Sequence, residues 1–107
     1  MFNINGESWN IKFVPVNSDI LRRSNGEYTL GATVDQYKTI FLADNLYGER
    51  LRKVLCHELC HCLIFSMNLY FDSYQEERLA DFIATYARDI INISDEIYKR
   101  INESTSQ

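Results

Sequence analysis

Near the middle of the chain stands the run Leu51-Arg52-Lys53-Val54-Leu55-Cys56-His57-Glu58-Leu59-Cys60-His61-Cys62-Leu63-Ile64-Phe65. Its apolar residues recur at helical spacing and predict a long helix over residues 46–67, with Asp44 or Asn45 as its cap. Because apolar residues occur nearly all round this helix, we expect it to be buried at the centre of the domain. The rest of the fold is arranged around it.

The same run contains both histidines of the chain, His57 and His61. Residues four apart share one face of a helix, so the two imidazoles can bind one metal ion together. Glu58 follows the first histidine directly and would lie beside that ion, where a carboxylate can act as a general base. The pattern His-Glu-x-x-His therefore predicts a catalytic zinc site.

Two histidines leave a catalytic zinc ion one protein ligand short, since such sites normally use three protein ligands and a water molecule. A second long helix, predicted over residues 74–102, supplies Glu77 as the third ligand. Asp81 lies four residues further on and could accept the remaining ring N–H of a ligating histidine. Glu76, Asp72 and Asp81 stay open as alternative ligands, with Glu76 disfavoured because it projects about 100° away from Glu77.

Residues 1–43 are predicted to form mainly strands. Asn5-Gly6 is typical of a tight hairpin turn between strands at residues 1–4 and 9–14. A second antiparallel hairpin is expected from residues 27–34 and 37–42. At the other end, Ser94 either caps a separate last helix or lies within a continuous one. The expected fold class is α+β, with a small, mostly antiparallel sheet packed on two long helices, in one domain over residues 1–107.

Three stretches resemble the small ImmA/IrrE-type zinc metallopeptidases of prophages and mobile elements, a gluzincin group: residues 31–42, 51–61 and 76–84. The resemblance implies a minimal zincin fold, Zn²⁺ on His57, His61 and Glu77, and Glu58 as the general base. It also implies a peptidase that acts on a protein or peptide substrate, and some members of the family cleave repressors. Cys60 stands where many relatives have a small residue.

The composition narrows the class of protein further. A hydrophobic fraction of 46% indicates a packed globular chain, and a net charge of −4 without a basic patch gives no reason to expect nucleic-acid binding. No targeting segment or membrane span is predicted. The three cysteines, Cys56, Cys60 and Cys62, share one helix and are interpreted as small apolar residues. Their odd number favours a reducing, cytoplasmic setting.

Three features stay open at this level. The group that would stabilise the developing oxyanion could be Tyr28, Tyr37, Tyr70 or Tyr74, and nothing in the pattern selects one. The strand at residues 38–43 could pair with an extended substrate if it forms a sheet edge. The oligomeric state is undetermined. The competing hypothesis is a binding or regulatory protein that keeps the zincin fold and its metal with little or no peptidase activity.

Overall fold

The computed structural model describes residues 1–105, with side chains described for residues 1–103. Its elements are strands β1 (Phe2–Ile4), β2 (Glu7–Val14), β3 (Gly31–Val34) and β4 (Thr39–Ala43), followed by helices α1 (Gly48–Ser66) and α2 (Ser73–Thr105). Single 3-10 turns lie at Asp19–Leu21 and Asp35–Tyr37. The predicted α+β class, a small sheet with two long helices, is confirmed. The last two residues of the predicted 1–107 domain lie outside the described residues.

The four strands form one mixed sheet in the order β1-β2-β4-β3. Asn5 and Gly6 join β1 to β2 with φ angles of 50° and 81°, the left-handed values that a type I′ hairpin turn requires at both positions. β3 and β4 form the second antiparallel pair, as predicted. The central pair, β2 with β4, is parallel and sets Ile11 beside Ile40. This crossover was not anticipated from the sequence.

The position of β4 corrects one prediction. The suggestion that the strand at residues 38–43 could pair with a substrate if it forms a sheet edge does not hold, because β4 is hydrogen-bonded on both sides, to β2 and to β3. β3 is the outer strand of that pair and borders α1. The edge next to the helix that carries the histidines is therefore β3.

The core lies between the sheet and α1. Its largest fully buried side chains are Trp9, Leu21, Ile40, Leu42 and Cys62. The prediction that α1 is enclosed on all sides is wrong, because Leu63 and Phe65 are 48% and 38% exposed. α1 packs on the sheet and on α2, and neither covers Leu63 and Phe65 completely, which lie about 200° apart around the helix axis.

The two helices run antiparallel. α1 begins at Gly48 after Tyr47 at the N-cap position, so the predicted caps Asp44 and Asn45 are wrong. α2 is continuous: the Ser94 hydroxyl donates to the carbonyl of Ile91 inside the helix, so a separate last helix is excluded. Within the described part of the chain, neither helix has an apolar stretch that could cross a bilayer.

Candidate metal centre

Helix α1 brings the two imidazole rings together on one face, one turn apart. Nε2 of His57 lies 3.2 Å from Nε2 of His61, and the ring centroids are 4.9 Å apart. His61 is buried and His57 is half-buried. The Nε2 atoms of both rings therefore point into the same small volume. Solvent reaches this volume on the side of His57, the less buried of the two histidines.

Helix α2 supplies a carboxylate to this volume. One oxygen of Glu77, Oε2, lies 3.2 Å from Nε2 of His57, and the other, Oε1, lies 3.0 Å from Nε2 of His61. Ligand atoms of His57, His61 and Glu77 all lie within 4.8 Å of one another. Of the four acidic residues considered for the third position, Glu77 is the one that the structure brings against both Nε2 atoms.

Two further carboxylates of α2 lie behind the rings. Oδ1 of Asp81 lies 2.9 Å from Nδ1 of His57, and a carboxylate oxygen of Glu76 is hydrogen-bonded to Nδ1 of His61. Each histidine therefore has a carboxylate of its own to orient it, one on either side of Glu77. The sequence offered Asp81 for such a bond and missed Glu76, because the position of Glu76 relative to His61 depends on how the two helices pack.

These contacts bear on which nitrogen of each neutral ring carries the proton. A carboxylate only accepts hydrogen bonds, so a neutral ring that donates to Asp81 or Glu76 carries its proton on Nδ1, and its Nε2 is left with a lone pair. Two lone-pair nitrogens and the oxygens of Glu77 then face one another with no donor among them. Such a set of acceptors is mutually repulsive unless a cation lies between them.

The donor set fits a metal ion, and zinc is one ion that takes such ligands. Two imidazole nitrogens and one carboxylate make up the protein ligands of known catalytic zinc sites. Ligand atoms about 2.0–2.1 Å from a tetrahedral ion are separated from one another by about 3.3 Å. The two Nε2 atoms are 3.2 Å apart, Oε2 of Glu77 lies 3.2 Å from that of His57, and Oε1 of Glu77 lies 3.0 Å from that of His61.

Glu58 lies between the ligand cluster and strand β3. Its Oε1 accepts a hydrogen bond of 2.9 Å from the Thr33 hydroxyl, and its Oε2 lies 3.9 Å from Nε2 of His57. Burial raises the pKa of the Glu58 carboxyl above its ordinary value, against the opposing effects of the Thr33 hydrogen bond and the two histidines. The residue can therefore hold a proton close to the cluster.

An open groove leads to the cluster and has a volume of about 640 Å³. Its lining includes Glu58 and Glu77 together with two groups that the sequence did not single out, Arg23 and Lys53. Tyr28 also lines it. Tyr37 instead packs edge-on against Phe41, and the hydroxyl of Tyr74 accepts a hydrogen bond from Arg78. Among the tyrosines considered, Tyr28 is thus the one at the groove.

The cysteines lie apart from the ligand set. Cys60 and Cys62 are buried, and Cys62 belongs to the main core. Burial raises the pKa of the Cys62 thiol to about 11, which keeps it protonated at neutral pH. The thiol of Cys56 faces the carbonyl of Ile83 on α2. These surroundings are those of small apolar side chains.

Comparison with models of known protein families finds no match to the chain, and neither the curated proteins nor the solved structures contain a similar one at the level of significance required.

Proposed function

We propose that the chain is a zinc-dependent peptidase of the ImmA/IrrE type. His57, His61 and Glu77 would hold the ion, and Glu58 would be the general base. The observation that carries this proposal is the convergence of the two Nε2 atoms and the Glu77 carboxylate at separations of 3.0–3.2 Å. The resemblance of residues 31–42, 51–61 and 76–84 to the family supports it from the sequence side.

Protonation of the rings is the other way to relieve the repulsion among these acceptors. It would make each histidine an imidazolium that donates to Glu77, and it predicts no affinity for metal. Two features favour the metal. His57, His61 and Glu77 each offer one ligand atom to the same small volume, within 4.8 Å of one another. Each Nδ1 is also held by its own carboxylate, the arrangement that orients metal-ligating histidines.

Each residue then has a defined task. Zinc held by His57, His61 and Glu77 would supply Lewis acidity and would make a water molecule easier to deprotonate near neutral pH. Asp81 and Glu76 hold the rings of His57 and His61 in place and keep their protons on Nδ1. Glu58 takes a proton from the attacking water molecule at Oε2 and later delivers it to the leaving amine. Tyr28 lines the same groove, and its hydroxyl would donate to the oxyanion.

We infer the substrate class from the residues that line the groove. Its wall includes Thr29, Leu30 and Gly31, so it runs along the start of the edge strand β3. An extended peptide could add to this edge by main-chain hydrogen bonds and pass the ligand cluster. A protein or peptide, with a repressor as one candidate, is the proposed partner, acting in the cytoplasm. Nucleic acid and membrane are not proposed as partners.

The second candidate is a binding or regulatory protein that keeps the metal and has little peptidase activity. The openness of the site favours it: Glu77 and Asp81 have side chains 54% and 71% exposed, so the groove leaves both in contact with water. Catalytic sites usually exclude water more completely. A partner that covers the groove could complete it as an active site or simply bind there.

A comparison of wild type with Glu58→Gln tests the proposal. Both proteins should bind one equivalent of zinc, and only the wild type should cleave a library of unstructured peptides. Cleavage by both proteins would implicate a contaminating protease. Zinc binding without cleavage by either protein would favour the regulatory alternative.

A further inference from the structure

We propose that strand β3 positions the Glu58 carboxylate. In this arrangement Thr33 holds one carboxylate oxygen and Gly31 leaves the space that the side chain occupies. The catalytic role of this arrangement rests on the proposed function, whereas the conformation of Glu58 can be tested by itself. Thr33 is a positioning residue here, since it acts through Glu58.

The contact between Thr33 and Glu58 joins residues that are far apart in sequence. The Thr33 hydroxyl donates to Oε1 of Glu58 at 2.9 Å and also lies 3.0 Å from the backbone carbonyl oxygen of Glu58. The Glu58 side chain is 8% exposed, so water has little access to replace this bond. Loss of the hydroxyl would leave a buried carboxylate oxygen without its protein donor.

Gly31 lies two residues before Thr33 and therefore on the same face of β3. A Cβ atom at Gly31 would lie 2.9 Å from Cγ of Glu58 and 3.0 Å from Cγ1 of Val54. Carbon atoms at optimal separation are about 3.5–4.0 Å apart, so even alanine would displace Glu58, Val54 or the strand. The absence of a side chain at residue 31 thus allows Glu58 to lie against the sheet.

The two oxygens of the Glu58 carboxylate have different neighbours and different proposed roles. Oε1 is occupied by Thr33, and Oε2 is the oxygen nearer to His57, 3.9 Å from its Nε2. Because the Thr33 hydroxyl holds Oε1, rotation of the carboxylate away from the ligand cluster is opposed. The oxygen that exchanges protons would therefore be in place before substrate binds, which is the kind of preorganisation that catalysis requires.

The test compares Thr33→Val, which keeps the shape and removes the hydroxyl, with Thr33→Ser, which restores it. Thr39→Val is the matched control, because the buried Thr39 on β4 donates to the carbonyl of Tyr37 and not to Glu58. Gly31→Ala tests the second contact independently. Each variant is examined by crystallography with zinc, by zinc titration and by steady-state kinetics.

Thr33→Val should lower kcat by about tenfold to a hundredfold with KM and zinc affinity unchanged, and Thr33→Ser and Thr39→Val should keep wild-type kcat. Its crystal structure should show the Glu58 carboxylate turned from its wild-type position. An unmoved carboxylate in both Thr33→Val and Gly31→Ala would overturn the inference. If wild type shows no hydrolysis that depends on Glu58, the proposed function fails, and the position of the carboxylate still decides this inference.

Discussion

Nε2 of His57 lies 3.2 Å from Nε2 of His61, and both nitrogens face the carboxylate of Glu77. The Nδ1 atoms of the rings are already engaged by Asp81 and Glu76. A chain that folds into this arrangement brings three acceptors together, and it gains stability when a cation binds between them. The first prediction follows from that gain.

Zinc should stabilise the folded protein. Free zinc at one hundred times its Kd should raise the free energy of unfolding by about 2.7 kcal/mol, provided that the unfolded chain does not bind it. For a domain of this size each kcal/mol raises Tm by about 4–8 °C, so scanning calorimetry should detect a rise of more than about 10 °C. His57→Ala should abolish the rise, and Asp89→Ala, on the exposed part of α2, should keep it. A rise of equal size in His57→Ala would place the ion elsewhere.

Asp81 and Glu76 should each strengthen zinc binding through the ring that they orient. Asp81→Ala and Glu76→Ala should each weaken zinc affinity by about tenfold to a hundredfold, because the corresponding imidazole loses its hydrogen-bond acceptor. Competition with a chromophoric chelator measures the change, with Asp89→Ala again as the control. Unchanged affinity in Glu76→Ala would show that the contact with His61 does not orient the ring.

The cysteines should not contribute to metal binding. The double variant Cys56→Ala/Cys60→Ala should still bind one equivalent of zinc, measured by elemental analysis after dialysis. Cys62→Ser should lower the free energy of unfolding by about 1–3 kcal/mol in urea titrations, because it places a hydroxyl in the apolar core. Loss of zinc from the double variant would contradict the interpretation of Cys56 and Cys60 as small apolar residues.

Tyr28 should contribute to catalysis through its hydroxyl. Removal of one oxyanion donor typically lowers kcat by about 10²–10³-fold, so Tyr28→Phe should lower kcat by up to that factor with little effect on zinc affinity. Tyr74→Phe is the matched control, since the Tyr74 hydroxyl accepts from Arg78 on the same exposed helix. Equal kcat for both variants would remove Tyr28 from the mechanism.

Local patterns predicted the parts of the fold that are set locally. The Asn5-Gly6 turn requires two left-handed residues, and the structure has them. The spacing of His57 and His61 on one helix, and of Glu77 and Asp81 on the next, is fixed by helical geometry alone. This is why the residues brought together in the cluster could be named in advance.

The contacts that the sequence did not predict join elements that are far apart in the chain. β2 and β4 are separated in the sequence by β3, the hairpin partner of β4, and no local signal marks their parallel pairing. Glu76 reaches His61 because of the way α2 packs on α1. Thr33 meets Glu58 across 25 residues, and Arg23 reaches the groove from the loop before β3. Each of these contacts depends on how separate elements dock.

The most direct test of the central claim is anomalous diffraction at the zinc absorption edge, from crystals of the protein grown with zinc. The proposed zinc site predicts one peak per chain, at bonding distance from Nε2 of His57, Nε2 of His61 and the carboxylate of Glu77. A chain with no peak at this position, or with a peak at the cysteines of α1, would contradict it.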